Sequence, residues 1–140
     1  MSTGRWELFS HPADIGIRGL GPTREEAFAQ AATALTAVIV DPKKIEPRQA
    51  VEIACREEDD ELLFMNWLSS LLYEMDTRGM LFCRFEIEPV EGGIYARAWG
   101  EPVDVEKHEP AVEVKAATYA GLKVEKDAEG NWLAQCIVDV

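Results

Sequence analysis

The sequence lacks the features that mark several protein classes. Its three cysteines occur singly with no CxxC spacing, which argues against a disulfide framework or a zinc site and indicates reduced thiols: Cys55, Cys83 and Cys136. No apolar run approaches the roughly 18 to 20 residues that span a bilayer, and the first residues form no apolar signal region. We therefore expect a soluble protein of the cytoplasm with no membrane partner.

Basic residues are scarce as well. The chain has 14 lysines and arginines and 26 aspartates and glutamates, so the formal net charge is -12. This charge disfavours nonspecific binding to phosphate backbones and to anionic lipids. Any role in nucleic-acid chemistry is therefore expected to pass through a partner protein.

Common catalytic motifs are also missing. The chain contains no GxxxxGK phosphate loop, no nucleophile elbow and no histidine pair at zinc-binding spacing. Gly16, Gly19 and Gly21 do not precede a helix at the spacing that a dinucleotide site needs. The sequence thus gives no motif-based reason to expect a nucleotide-dependent enzyme.

Two stretches carry helical periodicity. The first begins with Thr23 and Glu26 in capping-box spacing, and its apolar face comprises Ala27, Phe28, Ala31, Leu35, Val38 and Ile39. The second runs from about Asp60 to Arg78, ends at a capping Gly79, and carries a stripe of Leu63, Trp67, Leu71 and Met75. Both stripes are typical of helices that pack on a core.

Alternating patterns predict strands over most of the remaining chain. Residues 6–20 form two extended pieces around a turn at Ser10 to Ala13, and residues 51–56 form another strand. From Leu81 the period is two, and the chain ends in a hairpin. Residues 102–110 are expected to be loop, whereas Val112, Val114 and residues 115–119 form a candidate strand. These elements predict an α+β fold: a single domain, residues 1–140, with two main helices packed on a mostly antiparallel β-sheet.

Two aspartates near opposite ends of the chain suggest a metal site. Asp14 follows a turn, and Asp139 precedes Val140, whose main-chain carboxylate would add a third oxygen donor. If the strands meet, these groups form a partial shell for calcium, magnesium or manganese. The simpler alternative is that Asp14 caps a turn and Asp139 is a solvated terminal residue.

Ionisable groups are densest in the stretch KHEPAVEVKAATY. It contains Lys107, His108, Glu113 and Lys115, and a surface ion pair between Lys107 and Glu113 would account for two of them. A general-base role for His108 needs an oriented nucleophile within hydrogen-bond reach. A solvated loop histidine is the simpler interpretation.

Four stretches, taken in order and at this spacing, resemble the archease family: HPADIGIRGLGPTREEAFAQAATAL, ELLFMNWLSSLLYEMD, GEPVDVEKHEPAVEVKAATY and the terminal VDV. The resemblance covers nearly the whole chain, and ADIGIRG, KHEPAVEVKAATY and the ending are its most specific parts. One departure is Pro12, where the family usually has threonine; it would stiffen the turn before Asp14 without removing a ligand.

The resemblance implies an accessory protein for the GTP-dependent RNA ligase that joins tRNA halves. Such proteins are not catalysts themselves: they help the ligase form its guanylate intermediate on histidine and turn over repeatedly, and they meet tRNA only through the ligase. The resemblance places Asp14, Asp139 and Val140 at the metal-binding positions, usually with calcium. It also makes the group Lys107, His108, Glu113 and Lys115 contacts to the ligase or supports of the metal site.

Two other functions remain open at this stage. One is a metal-dependent phosphohydrolase centred on Asp14, Asp139 and His108, although phosphoryl-transfer sites with two metals normally use more ligands. The other is a general chaperone or assembly module that works through an exposed apolar face.

Overall fold

The computed structural model describes residues 4–12 and 14–140. A 3-10 turn at Pro42–Lys44 precedes the third strand. The other elements, in chain order, are β1 (Arg5–His11), β2 (Asp14–Gly21), α1 (Arg24–Ile39), β3 (Gln49–Arg56), α2 (Asp60–Arg78), β4 (Met80–Val90), β5 (Gly93–Pro102), α3 (Val105–His108), β6 (Ala116–Ala117), β7 (Lys123–Lys126) and β8 (Trp132–Asp139).

The strands form two antiparallel sheets. In the five-stranded sheet β2 lies between β1 and β8, and both β6 and β7 pair with the other edge of β8. In the three-stranded sheet β5 lies between β3 and β4. The α+β class and the antiparallel strand direction are confirmed, and the strands divide between two sheets where the sequence suggested one.

Helix α1 links the two sheets. It begins after Thr23, whose hydroxyl accepts a 3.0 Å hydrogen bond from the Glu26 N–H, as the capping-box spacing predicted. All six residues of its predicted apolar face are buried. The helix packs on β2 of one sheet and on β4 of the other, so both sheets share one hydrophobic core.

Helix α2 packs on the same core, where it contacts both sheets and α1. Its predicted stripe is buried, and the indole Nε1 of Trp67 donates a 3.1 Å hydrogen bond to the carbonyl oxygen of Phe28 on α1. Gly79 ends the helix in the left-handed region, with φ of 62° and ψ of 43°, which glycine adopts without the steric cost of a β-carbon. The predicted cap is therefore confirmed.

Two segments differ from the sequence expectation. The stretch expected to be loop contains α3, because the Asp104 carboxylate accepts hydrogen bonds from the N–H groups of Glu106 and Lys107 and so begins a helical turn. The candidate strand at Val112, Val114 and 115–119 is reduced to β6. Of the predicted turn at Ser10 to Ala13, the structure includes Ser10 and His11 in β1, and Ala13 lies outside the described residues.

The three thiols are free, and Cys55 and Cys136 are buried. Burial raises the pKa of all three, that of Cys136 to about 12. A raised pKa keeps a thiol protonated near neutral pH, and a protonated thiol is a poor nucleophile and a poor metal ligand. None of the helices over residues 4–12 and 14–140 has both the length and the apolar character that crossing a bilayer requires.

Candidate functional site

The pairing of β2 with β8 brings the two ends of the chain together. Ile15 lies opposite Val138, and the same register continued by one residue sets Asp14 opposite Asp139. Directly opposed residues of an antiparallel pair project from the same face, with β-carbons about 5 Å apart. The side chains of Asp14 and Asp139 are therefore neighbours at the end of the five-stranded sheet.

This end of the sheet, formed by Asp14, Asp139 and Val140, is called the carboxylate edge below. Both aspartates are exposed, and over residues 4–12 and 14–140 neither carboxylate makes a hydrogen bond or an ion pair. Like charges directly opposite one another destabilise a sheet, so a cation here would relieve a repulsion. Carboxylate oxygens are the ligands that hard divalent cations prefer.

The side chains alone do not complete a metal site. Within the part of the chain that the structure describes, no group of three or more histidine, cysteine, aspartate and glutamate side chains is placed to hold a metal ion. His11 pairs with Asp14 across β1 and β2 but does not make such a group. The chemistry of the two aspartates fits part of the shell of a divalent cation, and Val140, the residue after Asp139, was the third ligand predicted from the sequence.

The carboxylate edge is bordered on its other side by β6. Ala116 lies opposite Asp139, and the N–H of Lys115 donates a 2.8 Å hydrogen bond to the Asp139 carbonyl oxygen. Lys115 and Glu113 are both exposed. The chain leading into β6 thus brings Lys115 next to the carboxylate edge, with Glu113 two residues before it.

A second group of charged residues surrounds Glu101 near the end of β5. The Glu101 side chain is only 7 % exposed, and its Oε2 accepts hydrogen bonds from the Lys107 ammonium at 2.7 Å and the Glu46 N–H at 3.0 Å. The Nε2 of His108 lies 2.9 Å from the same oxygen, and the Nε of Arg48 lies 3.4 Å from Oε1. We call these five residues the Glu101 cluster.

The cluster holds Glu101 in its charged form. The hydrogen bond from Lys107 is the largest cause, followed by those from the Glu46 N–H and His108, and together they lower the pKa of Glu101 to about 2. Sequence reasoning missed this residue. The alternation of β5 buries Ala96 and Ala98, and Glu101 departs from that alternation because α3 and the loop at Glu46 cover it.

His108 is fully buried, so its interpretation as a solvated loop histidine is wrong. Its Nδ1 accepts a 2.9 Å hydrogen bond from the Asp104 N–H. Because a backbone N–H can only donate, this network assigns the proton to Nε2, which donates to Glu101. With both ring nitrogens occupied, His108 is not arranged as a general base, and it does not join Asp14 and Asp139 in a metal-binding group over the described residues.

The suggested ion pair between Lys107 and Glu113 is also wrong. The Lys107 ammonium binds Glu101 and lies 3.9 Å from Glu46, since the first turn of α3 directs it toward β5. Glu113 makes no ion pair with any residue that the structure describes. Of the four residues predicted in this stretch, two belong to the Glu101 cluster, and the other two, Glu113 and Lys115, are exposed.

The chain is similar to proteins of one family over almost its full length. The model of the Archease protein family (MTH1598/TM1083) matches residues 6–140. A protein archease of Pyrococcus abyssi is 47% identical over 140 residues, 97% of this chain and 99% of that protein. One of Thermococcus gammatolerans is 46% identical with the same coverage. The solution structure of Methanobacterium thermoautotrophicum protein 1598 matches with a TM-score of 0.77 and 31% identity, over 96% of this chain and 98% of that one.

Proposed function

Since the chain belongs to the archease family, we propose that it is a non-catalytic activator of a GTP-dependent RNA ligase that splices tRNA. It acts in the cytoplasm, promotes transfer of guanylate to the ligase, and allows the ligase to turn over repeatedly. It meets tRNA only through the ligase. The observation that carries this proposal is the carboxylate edge, where Asp14 and Asp139, from distant parts of the sequence, become cross-strand neighbours once the register of β2 with β8 is continued by one residue.

The carboxylate edge holds a divalent cation, with calcium first and magnesium or manganese as alternatives. Asp14 and Asp139 each supply side-chain oxygen, and Val140 supplies its main-chain carboxylate. Calcium takes six to eight oxygen ligands and magnesium about six, so three protein groups leave positions for phosphate oxygens or a ligase group. The bound ion would supply positive charge that stabilises the phosphate oxygens of the nucleotide.

The charge of the protein supports docking against a basic surface. With a net charge of -12, it is attracted to the positively charged cleft that an RNA ligase needs for its substrates. In this proposal the exposed residues Glu113 and Lys115, in the chain that leads into β6, contact the ligase beside the carboxylate edge. The polar groups of Lys107 and His108 bind Glu101 instead, so these two support the fold beside the contact surface.

The direct test uses the cognate ligase with GTP and a divalent metal. Guanylate attachment and multiple-turnover RNA joining are measured with and without this protein. We expect the protein to raise both the guanylated fraction and the number of turnovers. A ligase that behaves identically with and without it, at concentrations well above that of the ligase, would contradict the proposal.

Extending the chain beyond Val140 should remove most of the stimulation. Two additional residues, Gly-Ser, convert the Val140 carboxylate into a neutral amide and crowd the ion. The same two residues added before Met1 are the control and should leave stimulation unchanged. We expect the extended protein also to lose the calcium-dependent rise in its melting temperature, measured by differential scanning calorimetry. Full stimulation by the protein extended beyond Val140 would exclude Val140 as a ligand.

A further inference from the structure

A groove runs between the C-terminal half of α2 and the segment 103–116. It consists of two adjoining hollows of about 270 and about 310 Å³. The first is lined mainly by apolar side chains, including Ile39, Leu72, Met75, Val103 and Val112. The second shares Leu72, Asp76, Glu113 and Val114 with the first and extends to Lys115 and Ala116. We call the two hollows together the α2 groove.

Backbone hydrogen bonds fix the segment that forms one wall of the α2 groove. The N–H of Val103 donates to the carbonyl oxygen of Gly79 at 2.8 Å, and the N–H of Ala111 donates to that of Ile39 at 2.7 Å. At the far end, the N–H of Lys115 is bonded to Asp139. The segment is thus tied to the ends of both main helices and to β8, so the α2 groove exists before any partner binds.

The chemistry of the α2 groove selects an apolar side chain next to a cation. Val103 and Val112 line the first hollow and are 44% and 41% exposed, so apolar surface remains open to water there. The charged residues lining this hollow are Asp76 and Glu113, and Lys115 is the one cation lining the second hollow; none of the three makes an ion pair within the described part of the chain, so the carboxylates outnumber the ammonium two to one. A leucine-like side chain would cover the valines, and an adjacent lysine or arginine would meet the two carboxylates.

The α2 groove is continuous with the carboxylate edge. Ala116 lines the second hollow and lies opposite Asp139 in the pairing of β6 with β8. A chain segment lying in the α2 groove would therefore leave it beside Asp139. This continuity connects the groove to the same partner that meets the carboxylate edge.

We propose that the α2 groove binds a segment of the ligase that carries an apolar side chain next to a lysine or arginine. This inference rests on the proposed function and adds to it a docking surface distinct from the carboxylate edge. The groove supplies affinity and orientation, and the carboxylate edge supplies the group that acts on the nucleotide site.

The test is a charge reversal in the α2 groove with a matched charge reversal elsewhere. Asp76→Lys combined with Glu113→Lys is compared with Glu91→Lys combined with Glu129→Lys, which changes the net charge equally at exposed turn positions outside the groove. Affinity for the cognate ligase is measured by isothermal titration calorimetry, and stimulation of guanylation is measured in parallel. We expect the groove pair to weaken binding roughly 30-fold or more and the control pair to weaken it less than about threefold.

A second variant tests the apolar part of the surface. Val112→Ser shortens the contact without changing charge, and we expect it to weaken binding roughly threefold to tenfold. Circular dichroism of each variant checks that it folds.

The outcomes separate the two proposals. If the wild-type protein does not stimulate the ligase, both the function and the groove inference fail. If it does, but the groove pair and Val112→Ser bind as tightly as the wild type, the groove inference alone is overturned. If the groove double variant and the control double variant weaken binding equally, the effect comes from net charge. If analytical ultracentrifugation shows that the wild type self-associates and the groove double variant does not, the α2 groove binds a second copy of this chain. Either result also overturns the inference.

Discussion

Asp139→Ala is expected to abolish stimulation of the ligase and leave the fold intact, and Asp14→Ala is expected to do the same. Both residues are exposed at the end of the five-stranded sheet, so neither substitution removes a buried contact. Losing one of two neighbouring carboxylates also removes a repulsion, so the free energy of unfolding without metal should stay the same or rise by a few tenths of a kcal/mol. We expect the guanylation rate to fall at least about tenfold, and a loss of protein stability would not explain this fall.

Metal binding gives a readout that does not depend on the ligase. A ligand that binds the native state raises its stability by about 2.7 kcal/mol at a concentration of 100 times its Kd. Saturating calcium should therefore raise the melting temperature of the wild type and leave those of Asp14→Ala and Asp139→Ala unchanged. Glu125→Ala, which removes an exposed carboxylate from β7, is the control and should behave as the wild type. Stimulation that persists in both aspartate variants would overturn the metal role of the carboxylate edge.

The elements that sequence reasoning predicted well are those specified by local signals. Three of these signals depend only on residues close together in the sequence. They are the capping spacing at Thr23, the apolar stripe through Trp67 and the glycine at the end of α2. The terminal hairpin also follows from alternation around a short turn. These features depend on helix and strand geometry that neighbouring residues determine, so no knowledge of the partner elements is needed.

The carboxylate edge depends on information that periodicity does not contain. Asp14 and Asp139 meet only because β2 pairs with β8 in one particular register, and a shift by one residue would separate them and turn one to the other face. Residue type and position made both aspartates candidate metal ligands, and the resemblance to a family assigned them to one site. The pairing of the strands had to come from the structure.

The Glu101 cluster was missed for a related reason. A charged residue at the end of a strand is ordinarily predicted to be exposed, and His108 in a proline-bounded segment is predicted to lie in a loop. The short helix α3, begun by Asp104, folds back on β5 and buries both side chains. The buried polar groups of Glu101 and His108 are then hydrogen-bonded to each other and to neighbouring groups. A pattern read along the sequence does not indicate such contacts.

Because of its position, the Glu101 cluster also holds the wall of the α2 groove. It joins β5 to α3, from which the chain continues into the segment that carries Glu113. It further ties down the loop before β3 through the N–H of Glu46. The cluster is therefore a structural support whose loss should loosen the surface on which the proposed docking depends.

Glu101→Gln is expected to lower the free energy of unfolding at pH 7 by roughly 2 to 3 kcal/mol. The neutral amide weakens the hydrogen bonds from Lys107 and the Glu46 N–H, and where its NH₂ group faces these donors it cannot accept from them. Urea denaturation at equilibrium measures the change. Glu109→Gln is the matched control, because that carboxylate is exposed and its ion pair with Lys44 is open to water; we expect a change within about 0.5 kcal/mol.

The pH dependence distinguishes a charged Glu101 from a merely well-packed one. Its pKa is about 2 in the folded protein against 4.5 as the ordinary value, so the folded state binds a proton less readily than the unfolded state. The stabilisation from Glu101 is therefore fully present above about pH 5 and is lost as the pH falls toward 2. The difference in unfolding free energy between the wild type and Glu101→Gln should be constant from pH 7 to pH 5 and should shrink at pH 4 and again at pH 3. A difference that stays the same over this range would show that the charge of Glu101 does not carry the stabilisation, and that the cost of the substitution comes from its geometry.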